Sequence, residues 1–229
     1  MSLRYDFLRD GYITCPQLID EAALAPLRLA FDELLSGQID CGEDMRMLGG
    51  RTRQIVRPCL HHPTFAANLA RDSGRGIAAE VLDCAAPVFV FDQLLYKPPG
   101  HPAVTPWHQD LAYLHVPFTR AGARARMNVL QFWLALDDVD VENGCMQFLP
   151  GHSLDSLRPH EVAGGAADVP DRLLAIIDAD ACLPLDTVVA VPLAAGGCTA
   201  HAPGTPHFSS ANRSHARRRR AYIFSYAAP

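Results

Sequence analysis

The sequence predicts a mainly β fold of the sandwich or jelly-roll type, preceded by helices. Three observations lead to this prediction. The first third of the 229 residues has helical periodicity, the pattern changes at residue 87 to short apolar runs bounded by Gly, Pro or Asp, and the helical segments precede the strands instead of alternating with them. Alternation would indicate a parallel α/β sheet, whereas short strands separated by turns indicate packed antiparallel sheets.

The composition is that of one globular domain, predicted to span residues 1–229. The chain is 49% hydrophobic and 20% charged, which excludes a disordered chain, and its formal net charge of −5 gives no support to a nucleic-acid partner. The start, MSLRYDFLRDGYI, lacks a secretory apolar core, and no apolar run is long enough to span a bilayer. We therefore expect a cytoplasmic protein with no membrane partner. Seven cysteines, none in a CxxC pair, are expected to be small buried residues.

Two segments of the first third predict helices. In CPQLIDEAALAPLRLAFDELLSG the apolar residues Leu24, Leu27 and Phe31 recur at helical spacing, and Gly37 ends the segment. The second candidate is HPTFAANLARDSGRGIAAEVLD, in which Gly74 and Gly76 are expected to interrupt the helix.

Six runs after residue 87 predict strands, because they are short, rich in β-forming residues and bounded by turn residues. They are PVFVFDQLLYKP, ARMNVLQFWLALDDV, CMQFLPG, DTVVAVPLAAGG, CTAHAP and RRAYIFSYA. Residues 153–185 are less regular and are predicted to leave the β-core, with a helix over DVPDRLLAIIDAD. This segment is either a lid over the mouth of the β-core or a plain surface connection.

A candidate metal site begins in the strand-like segment TPWHQDLAYLH. His108 and Asp110 are two positions apart, and alternate residues of a strand share a face, so both side chains are placed to converge on one ion. The alternative is ordinary surface polarity at the end of a strand. His207, which follows Gly204 and Pro206, supplies a third ligand. Two histidines and one carboxylate suit Fe(II) and leave coordination positions open.

The segment RRRRAYIF adds a candidate anion site. If Ala221 and Ile223 point inward, strand alternation turns Arg219 inward with them. Arginine binds carboxylates through a planar fork, which is what the distal carboxylate of a 2-oxoacid requires. The other three arginines, 217, 218 and 220, are expected to form a solvated basic run.

Four segments, in this order along nearly the whole chain, resemble the phytanoyl-CoA dioxygenase family of Fe(II)/2-oxoglutarate oxygenases. They are FLRDGYI, WHQDLAY, FWLALDDVDVENGCMQFLPGHS, and HAPGTPHFSSANRS followed by RRAY. The interval from His207 to the arginine run is one residue longer than the family pattern, which leaves Arg218 as the alternative to Arg219. The corner also reads Pro-Gly-His-Ser where many members have Pro-Gly-Ser-His.

The resemblance implies a double-stranded β-helix (jelly roll, cupin-like) core with the N-terminal helices packed outside. It implies catalytic Fe(II) bound by His108, Asp110 and His207, with Arg219 binding the far carboxylate of the co-substrate 2-oxoglutarate. The implied reaction consumes dioxygen, releases succinate and CO₂, and hydroxylates a small molecule. Halogenating relatives replace the carboxylate ligand with a small residue, so Asp110 favours hydroxylation or another hydrogen-abstraction outcome such as desaturation.

Several further residues are predicted either to contact the co-substrate or to have a structural role. Ser209 and Trp133 are co-substrate contacts by the resemblance, with a turn serine and a core tryptophan as the respective alternatives. Gln93 shares a strand face with Phe91 and Leu95, so it either contacts the co-substrate or serves polar packing. Lys97, the chain's only lysine, is expected to be a loop cation, with the anchoring of an anionic substrate as the alternative. His201 competes with His207 as a ligand, but His207 carries the downstream Ser-x-x-Asn pattern, so His201 and His152 are expected to be structural.

Two rival functions remain open on the same fold. One is a cupin-like metal-containing protein that binds a small molecule without turnover. The other is a metal-dependent isomerase or hydrolase, which has no special need for an arginine after the distal histidine.

Overall fold

The computed structural model describes residues 2–49, 51–113, 128–153, 157–163 and 172–229. Most of its regular structure is antiparallel sheet. The described helices are α1 (Leu3–Asp10), α2 (Glu21–Ser36), α3 (Pro58–His61), α4 (Pro63–Ala66), α5 (Leu69–Leu82) and α6 (Ala179–Cys182). The described strands are β1 (Tyr12–Cys15), β2 (Met45–Leu48), β3 (Thr52–Val56), β4 (Val88–Lys97), β5 (Thr105–His108), β6 (Val129–Ala135), β7 (Met146–Phe148), β8 (His160–Val162), β9 (Leu174–Ile176), β10 (Val189–Val191), β11 (Cys198–His201), β12 (His207–Ser209) and β13 (Arg219–Ala227).

Two sheets make up the β-core, and the chain passes back and forth between them. The larger has the order β1-β11-β6-β13-β4-β3-β2 and the smaller the order β10-β7-β12-β5. Successive strands from β4 to β7, and again from β10 to β13, exchange sheets in the manner of a jelly roll. The predicted mainly β, double-stranded β-helix fold is confirmed, although the two described sheets do not close into one barrel.

Both faces of the larger sheet are buried, which explains the nearly continuous apolar runs of β6 and β13. One face contributes Phe132 and Phe224 to a core shared with Leu24 and Phe31 of α2. The opposite face, which carries Trp133 among others, packs toward the smaller sheet. The N-terminal helices therefore cover the outside of the sheet, as predicted, and the inner face is left to form the site.

Helix α2 follows its sequence signals. The side chain of Asp20 accepts a hydrogen bond from the Ala23 amide at its start, and Gly37 ends it in a left-handed conformation with φ of 78°. The predicted interruption of the second helix at Gly74 and Gly76 is wrong, because α5 runs through both positions. The break falls instead before α5, where Asn68 caps the helix by accepting a hydrogen bond from the Arg71 amide.

Other expectations require correction. The described part of the segment predicted to be helical, from residue 172, forms strand β9, which pairs with β8. The hairpin of β2 and β3 was not anticipated, and it adds two strands to the edge of the larger sheet. All seven cysteines are free thiols, but the expectation that they are buried holds for three of them only: Cys41, Cys145 and Cys198 are buried, Cys15, Cys59 and Cys84 are partly exposed, and Cys182 is exposed. Among the described residues, none of the helices has the length and apolar character needed to cross a membrane.

A pair of alanine substitutions in α5 tests why this helix tolerates two glycines. A Cβ on Gly74 would lie 2.6 Å from the ring of Phe224, which is itself stacked on Phe132. We expect Gly74→Ala to lower the free energy of unfolding by about 1–3 kcal/mol through overpacking. Gly76 has open space around it, so Gly76→Ala should raise stability by up to about 1 kcal/mol through helix propensity. Urea unfolding of both variants checks this, and equal effects would contradict it.

Candidate metal centre

Two histidines are brought face to face by strand pairing in the smaller sheet. His108 is the last residue of β5 and His207 is the first residue of β12, and the two are direct partners in the antiparallel register. Directly opposed residues of neighbouring strands point to the same face. The two imidazole rings accordingly lie with their centroids 4.1 Å apart.

Asp110 completes the cluster from a turn and not from the strand. Strand β5 ends at His108, and Asp110 opens a 3-10 turn that continues to Tyr113, so the strand-alternation argument for this residue was wrong in its geometry. Asp110 Oδ1 lies 3.5 Å from Nε2 of His108 and 3.7 Å from Nε2 of His207. One ligand atom from each of the three residues lies within 4.8 Å of the others, which is close enough to hold one metal ion.

The orientation of both imidazole rings leaves Nε2 as the nitrogen available to a metal. Nδ1 of His108 lies 2.8 Å from the carbonyl oxygen of Pro106, and Nδ1 of His207 lies 2.9 Å from that of Thr205. A carbonyl only accepts hydrogen bonds, so Nδ1 carries the proton in each ring. Nε2 is therefore left with its lone pair, directed at the Asp110 carboxylate.

The ionisation states also suit metal binding. Burial, together with the neighbouring His108, lowers the pKa of His207 well below its usual value. Burial acts to raise the pKa of Asp110, but the surrounding His207, His108 and His201 outweigh it and lower this pKa well below its usual value. A neutral imidazole and an ionised carboxylate are the forms that coordinate a metal.

Two residues not predicted for the site hold the second carboxylate oxygen of Asp110. Gln131 donates a hydrogen bond from Nε2 to Asp110 Oδ2 at 2.6 Å, and its own Oε1 accepts one from Ser225 at 3.3 Å. His201 Nε2 lies 3.2 Å from the same Oδ2. His201, considered as a competing ligand and expected to be a structural hydrogen-bonding residue, thus contacts the carboxylate of Asp110. These contacts leave Oδ1 facing the two histidines.

Gln109, between His108 and Asp110 in the sequence, fixes the surrounding loops. It is fully buried, donates from Nε2 to the carbonyl of Gly204 at 2.8 Å, and accepts at Oε1 from the Arg158 amide at 2.9 Å. The His-Gln-Asp segment therefore combines two metal-site residues with one structural residue.

A cavity of about 510 Å³ lies between the sheets and reaches from the metal cluster to Arg219. The residues predicted as co-substrate contacts all line it: Gln93, Trp133, Ser209 and Arg219. Leu48, Gln54, Val90, Phe91, Val129 and Leu173 are among the other lining residues. Leu173 falls within the segment proposed as a lid, whose residues 154–156 and 164–171 lie outside the described part of the chain.

The four consecutive arginines have different environments. Arg217 pairs with Asp140 and Glu142, and Arg218 pairs with Asp32, both as exposed or half-exposed ion pairs. Arg220 was expected to be solvated, but it is buried and contacts Asp137 at 2.7 Å and Asp32 at 3.1 Å. This correction follows from strand alternation, which turns Arg220 toward α2.

Arg219 differs from these three. It is fully buried and lines the cavity, and within the described residues it has no carboxylate partner. Its Nη2 donates to Ser209 Oγ at 3.2 Å, whereas its Nε and Nη1 have no hydrogen-bond partner among the residues that the structure describes. Desolvation lowers its pKa to about 10, so it remains a cation at neutral pH. Its guanidinium carbon lies 5.5 Å from the ring centre of Trp133, close enough for a cation–π contact.

Lys97 is not the loop cation that was expected. It is the last residue of β4, it is fully buried, and its ammonium group donates to the carbonyl oxygens of Ser209 (3.3 Å) and Ser210 (2.7 Å) and to Ser209 Oγ (3.3 Å). The prediction failed because it used only the following Pro-Pro-Gly. Its cross-strand partner is Arg219, and this pairing is not visible in the local sequence.

The sequence partly indicated that Gln93 and Gln131 face the cavity. Gln93 lies across from Ile223 in the register, and its side chain accepts a hydrogen bond from the Gln54 amide. Gln131 precedes Trp133 by two positions in a strand, and the same alternation that placed Trp133 inward would have placed Gln131 there. His201 had no such signal, because only the pairing of β11 with β6 brings it to Gln131.

Comparisons with known proteins concern the family and the fold of this chain. The sequence profile of the family described as phytanoyl-CoA dioxygenase matches residues 7–221. EvdO2 from Micromonospora carbonacea var. aurantiaca, solved in complex with 2-oxoglutarate, superposes with a TM-score of 0.77 at 32% identity over 99% of this chain and 89% of that one. The epimerase SnoN, solved with Fe³⁺, α-ketoglutarate and nogalamycin RO, gives a TM-score of 0.71 at 25% identity over 98% and 82%.

A curated relative is L-proline trans-4-hydroxylase of Streptomyces griseoviridis. It is 28% identical over 145 residues, which are 62% of this chain and 51% of that protein. The matches between this chain and its curated relatives cover between 33% and 51% of the relatives' own lengths.

Removal of the carboxylate tests the metal cluster. Loss of a residue that only hydrogen-bonds a metal ligand weakens metal binding by roughly 10–100-fold. We expect Asp110→Ala to weaken Mn(II) binding by more than this, because it removes a charged ligand itself. The matched control is His215→Ala, which removes an exposed histidine near His207 in sequence and should leave affinity unchanged. Mn(II) binding followed by electron paramagnetic resonance, with thermal unfolding as the folding check, measures both. Unchanged affinity in Asp110→Ala would rule out this cluster.

Proposed function

The chain belongs to the phytanoyl-CoA dioxygenase family, and on that premise we propose that it is a non-haem Fe(II)- and 2-oxoglutarate-dependent dioxygenase. It hydroxylates a small molecule, with His108, Asp110 and His207 as the iron ligands. The family profile reaches from residue 7 to residue 221, which supports one catalytic domain over residues 1–229. The substrate binds in the part of the cavity that 2-oxoglutarate leaves open.

The observation that carries this proposal is the presence of two complementary sites in one cavity. At one place three metal-binding side chains converge, and at another a buried arginine has two donor atoms without partners. Buried polar groups are nearly always hydrogen-bonded, so the unpartnered Nε and Nη1 of Arg219 fit an anionic ligand. A 2-oxoacid with a distal carboxylate is the ligand that uses both sites together.

Bound Fe(II) supplies the redox chemistry, in which 2-oxoglutarate, dioxygen and a substrate C–H bond give succinate, CO₂ and an alcohol. The protein's part is binding and orientation. Arg219 binds the distal carboxylate in a low-dielectric pocket, where the attraction is stronger than in water. Trp133, Gln93 and Ser209 surround the co-substrate. Gln131 and His201 hold one oxygen of Asp110, so that its other oxygen faces His108 and His207, the residues that would hold the metal with it.

A second outcome on the same site is epimerisation. It is favoured by the likeness to SnoN, an epimerase at 25% identity. Both outcomes begin with loss of a substrate hydrogen and differ in whether oxygen or hydrogen returns to the carbon. A redox-neutral isomerase or hydrolase gives no role to the unpartnered donors of Arg219, whereas a non-catalytic binding protein differs from the proposed enzyme in turnover.

The first test uses no substrate. Anaerobic addition of Fe(II) and then 2-oxoglutarate should produce a visible metal-to-ligand charge-transfer band. We expect Arg219→Met to weaken 2-oxoglutarate binding by roughly 10–100-fold, since a buried charge-assisted hydrogen bond is lost. Arg218→Met is the control and should bind normally, because Arg218 is exposed and pairs with Asp32. If the control and not Arg219→Met loses affinity, the assignment of the arginine is wrong.

The second test separates oxygenase turnover from binding. The iron-loaded protein in air should convert 2-oxoglutarate to succinate slowly even without substrate, and Asp110→Ala should not. Formation of succinate by the wild type but not the variant supports the proposal, whereas no succinate despite a charge-transfer band favours a binding protein. Once a substrate is found, an ¹⁸O atom from ¹⁸O₂ in the product identifies hydroxylation, and an unlabelled product identifies epimerisation or desaturation.

A further inference from the structure

The end of the cavity at Arg219 holds a second buried cation for which the proposed reaction has so far no use. Lys97 is the only lysine in the chain. It is 0% exposed, at the end of β4 and directly across from Arg219 in the register. An isolated buried ammonium is unfavourable, and a neighbouring guanidinium makes it more so. A lysine in such a place therefore calls for a specific explanation.

The contacts of Lys97 link it to Arg219 through one hydroxyl group. Ser209 Oγ accepts hydrogen bonds from Lys97 Nζ at 3.3 Å and from Arg219 Nη2 at 3.2 Å, and it donates its own proton to the carbonyl of Gly144 at 3.1 Å. A hydroxyl has one proton and two lone pairs, so Ser209 has no further hydrogen bond to make. Ser209 is thereby fixed, and it fixes Nη2 of Arg219.

The charges at this end of the cavity are unbalanced. The three donors of Lys97 meet only neutral oxygens, those of Ser209 and Ser210. Within the described residues neither Lys97 nor Arg219 contacts a carboxylate, since the nearby Asp137 pairs with Arg220. Burial and the adjacent Arg219 lower the pKa of Lys97 well below its usual value. An anion bound at Arg219 would relieve the repulsion between the two cations.

We propose that Lys97 is a positioning residue that makes the co-substrate site selective for 2-oxoacids with a distal carboxylate. Lys97 does not line the cavity and contacts Ser209. Its charge adds to that of Arg219. Its hydrogen bonds hold Ser209 in place, so that Arg219 keeps Nε and Nη1 free for the ligand. This inference rests on the proposed function, and it adds a selectivity determinant outside the cavity lining. Ser209 then serves the carboxylate through Arg219.

Two substitutions separate charge from packing. Lys97→Gln removes the charge and keeps an N–H donor for the Ser209 and Ser210 carbonyls, whereas Lys97→Met removes both. The control is Arg53→Gln, which removes an exposed cation from the neighbouring strand β3. The ligands are 2-oxoglutarate and 2-oxobutyrate, which carries the same metal-binding end without the distal carboxylate. Affinities are measured anaerobically with Fe(II) from the charge-transfer band.

We expect Lys97→Gln to weaken 2-oxoglutarate roughly tenfold and to leave 2-oxobutyrate within about twofold of the wild type. A purely structural lysine would weaken both ligands equally, and a lysine without any role would change neither. Either of these results would overturn the inference. Arg53→Gln should preserve the preference for 2-oxoglutarate.

A measurement on the unaltered protein keeps the inference testable if both variants fail to fold. Because the chain has one lysine, protein labelled with [ε-¹³C]lysine gives a single side-chain signal. With Zn(II) in place of Fe(II), 2-oxoglutarate should shift this signal, and saturating 2-oxobutyrate should not. A signal that either moves equally with both ligands or does not move with bound 2-oxoglutarate would overturn the inference.

These outcomes also distinguish the two proposals. A wild-type protein that forms no charge-transfer band with any 2-oxoacid contradicts the proposed function, and the inference with it. A normal wild-type band together with unchanged ligand preference in Lys97→Gln contradicts the inference alone.

Discussion

The pairing of β12 with β5 on one side and β7 on the other is the constraint on which the site depends. It sets His207 opposite His108 and, two residues on, brings Ser209 to Arg219. The turn that contains Gly144 packs closely against the end of β12. Gly144 has φ of 92°, and a Cβ on it would lie 2.7 Å from the carbonyl oxygen of Ser210, the residue that follows β12. The glycine of the Asn-Gly turn thus lets the turn pack onto β12, and one strand register fixes both the metal cluster and the anion site.

The cations that hold the fold together are paired with carboxylates, whereas those at the candidate site are not. Arg217, Arg218 and Arg220 are neutralised by carboxylates of other segments and so contribute to holding strands and helix α2 together. Arg219 and Lys97 are buried, and no carboxylate in the described part of the chain pairs with either. Because a buried charge is stabilised only by an opposite charge or by hydrogen bonds, this arrangement is unfavourable for folding and favourable for binding an anion.

The metal cluster and the rest of the cavity have separate tasks. Relatives named as a hydroxylase and as an epimerase share the family or the fold of this chain. Under the proposed function, the fate of the substrate depends on which C–H bond lies at the metal and on what surrounds it. In this chain the described outer wall is largely apolar, from residues such as Leu48, Val90 and Leu173, with the hydrogen-bonded amides of Gln54 and Gln93 among them.

The sequence by itself determined what depends on neighbours along the chain. Helical periodicity and Gly37 defined α2, and strand alternation placed Arg219 on the inner face of the larger sheet. The tertiary structure decided what depends on distant residues. Whether Gly74 breaks a helix depends on the ring of Phe224, and whether Lys97 is a loop cation or a buried one depends on its pairing with β13. His201 and Gln131 reach Asp110 for the same reason: burial and hydrogen-bond partners are set by strand register, and no local pattern encodes the register between segments far apart in the chain.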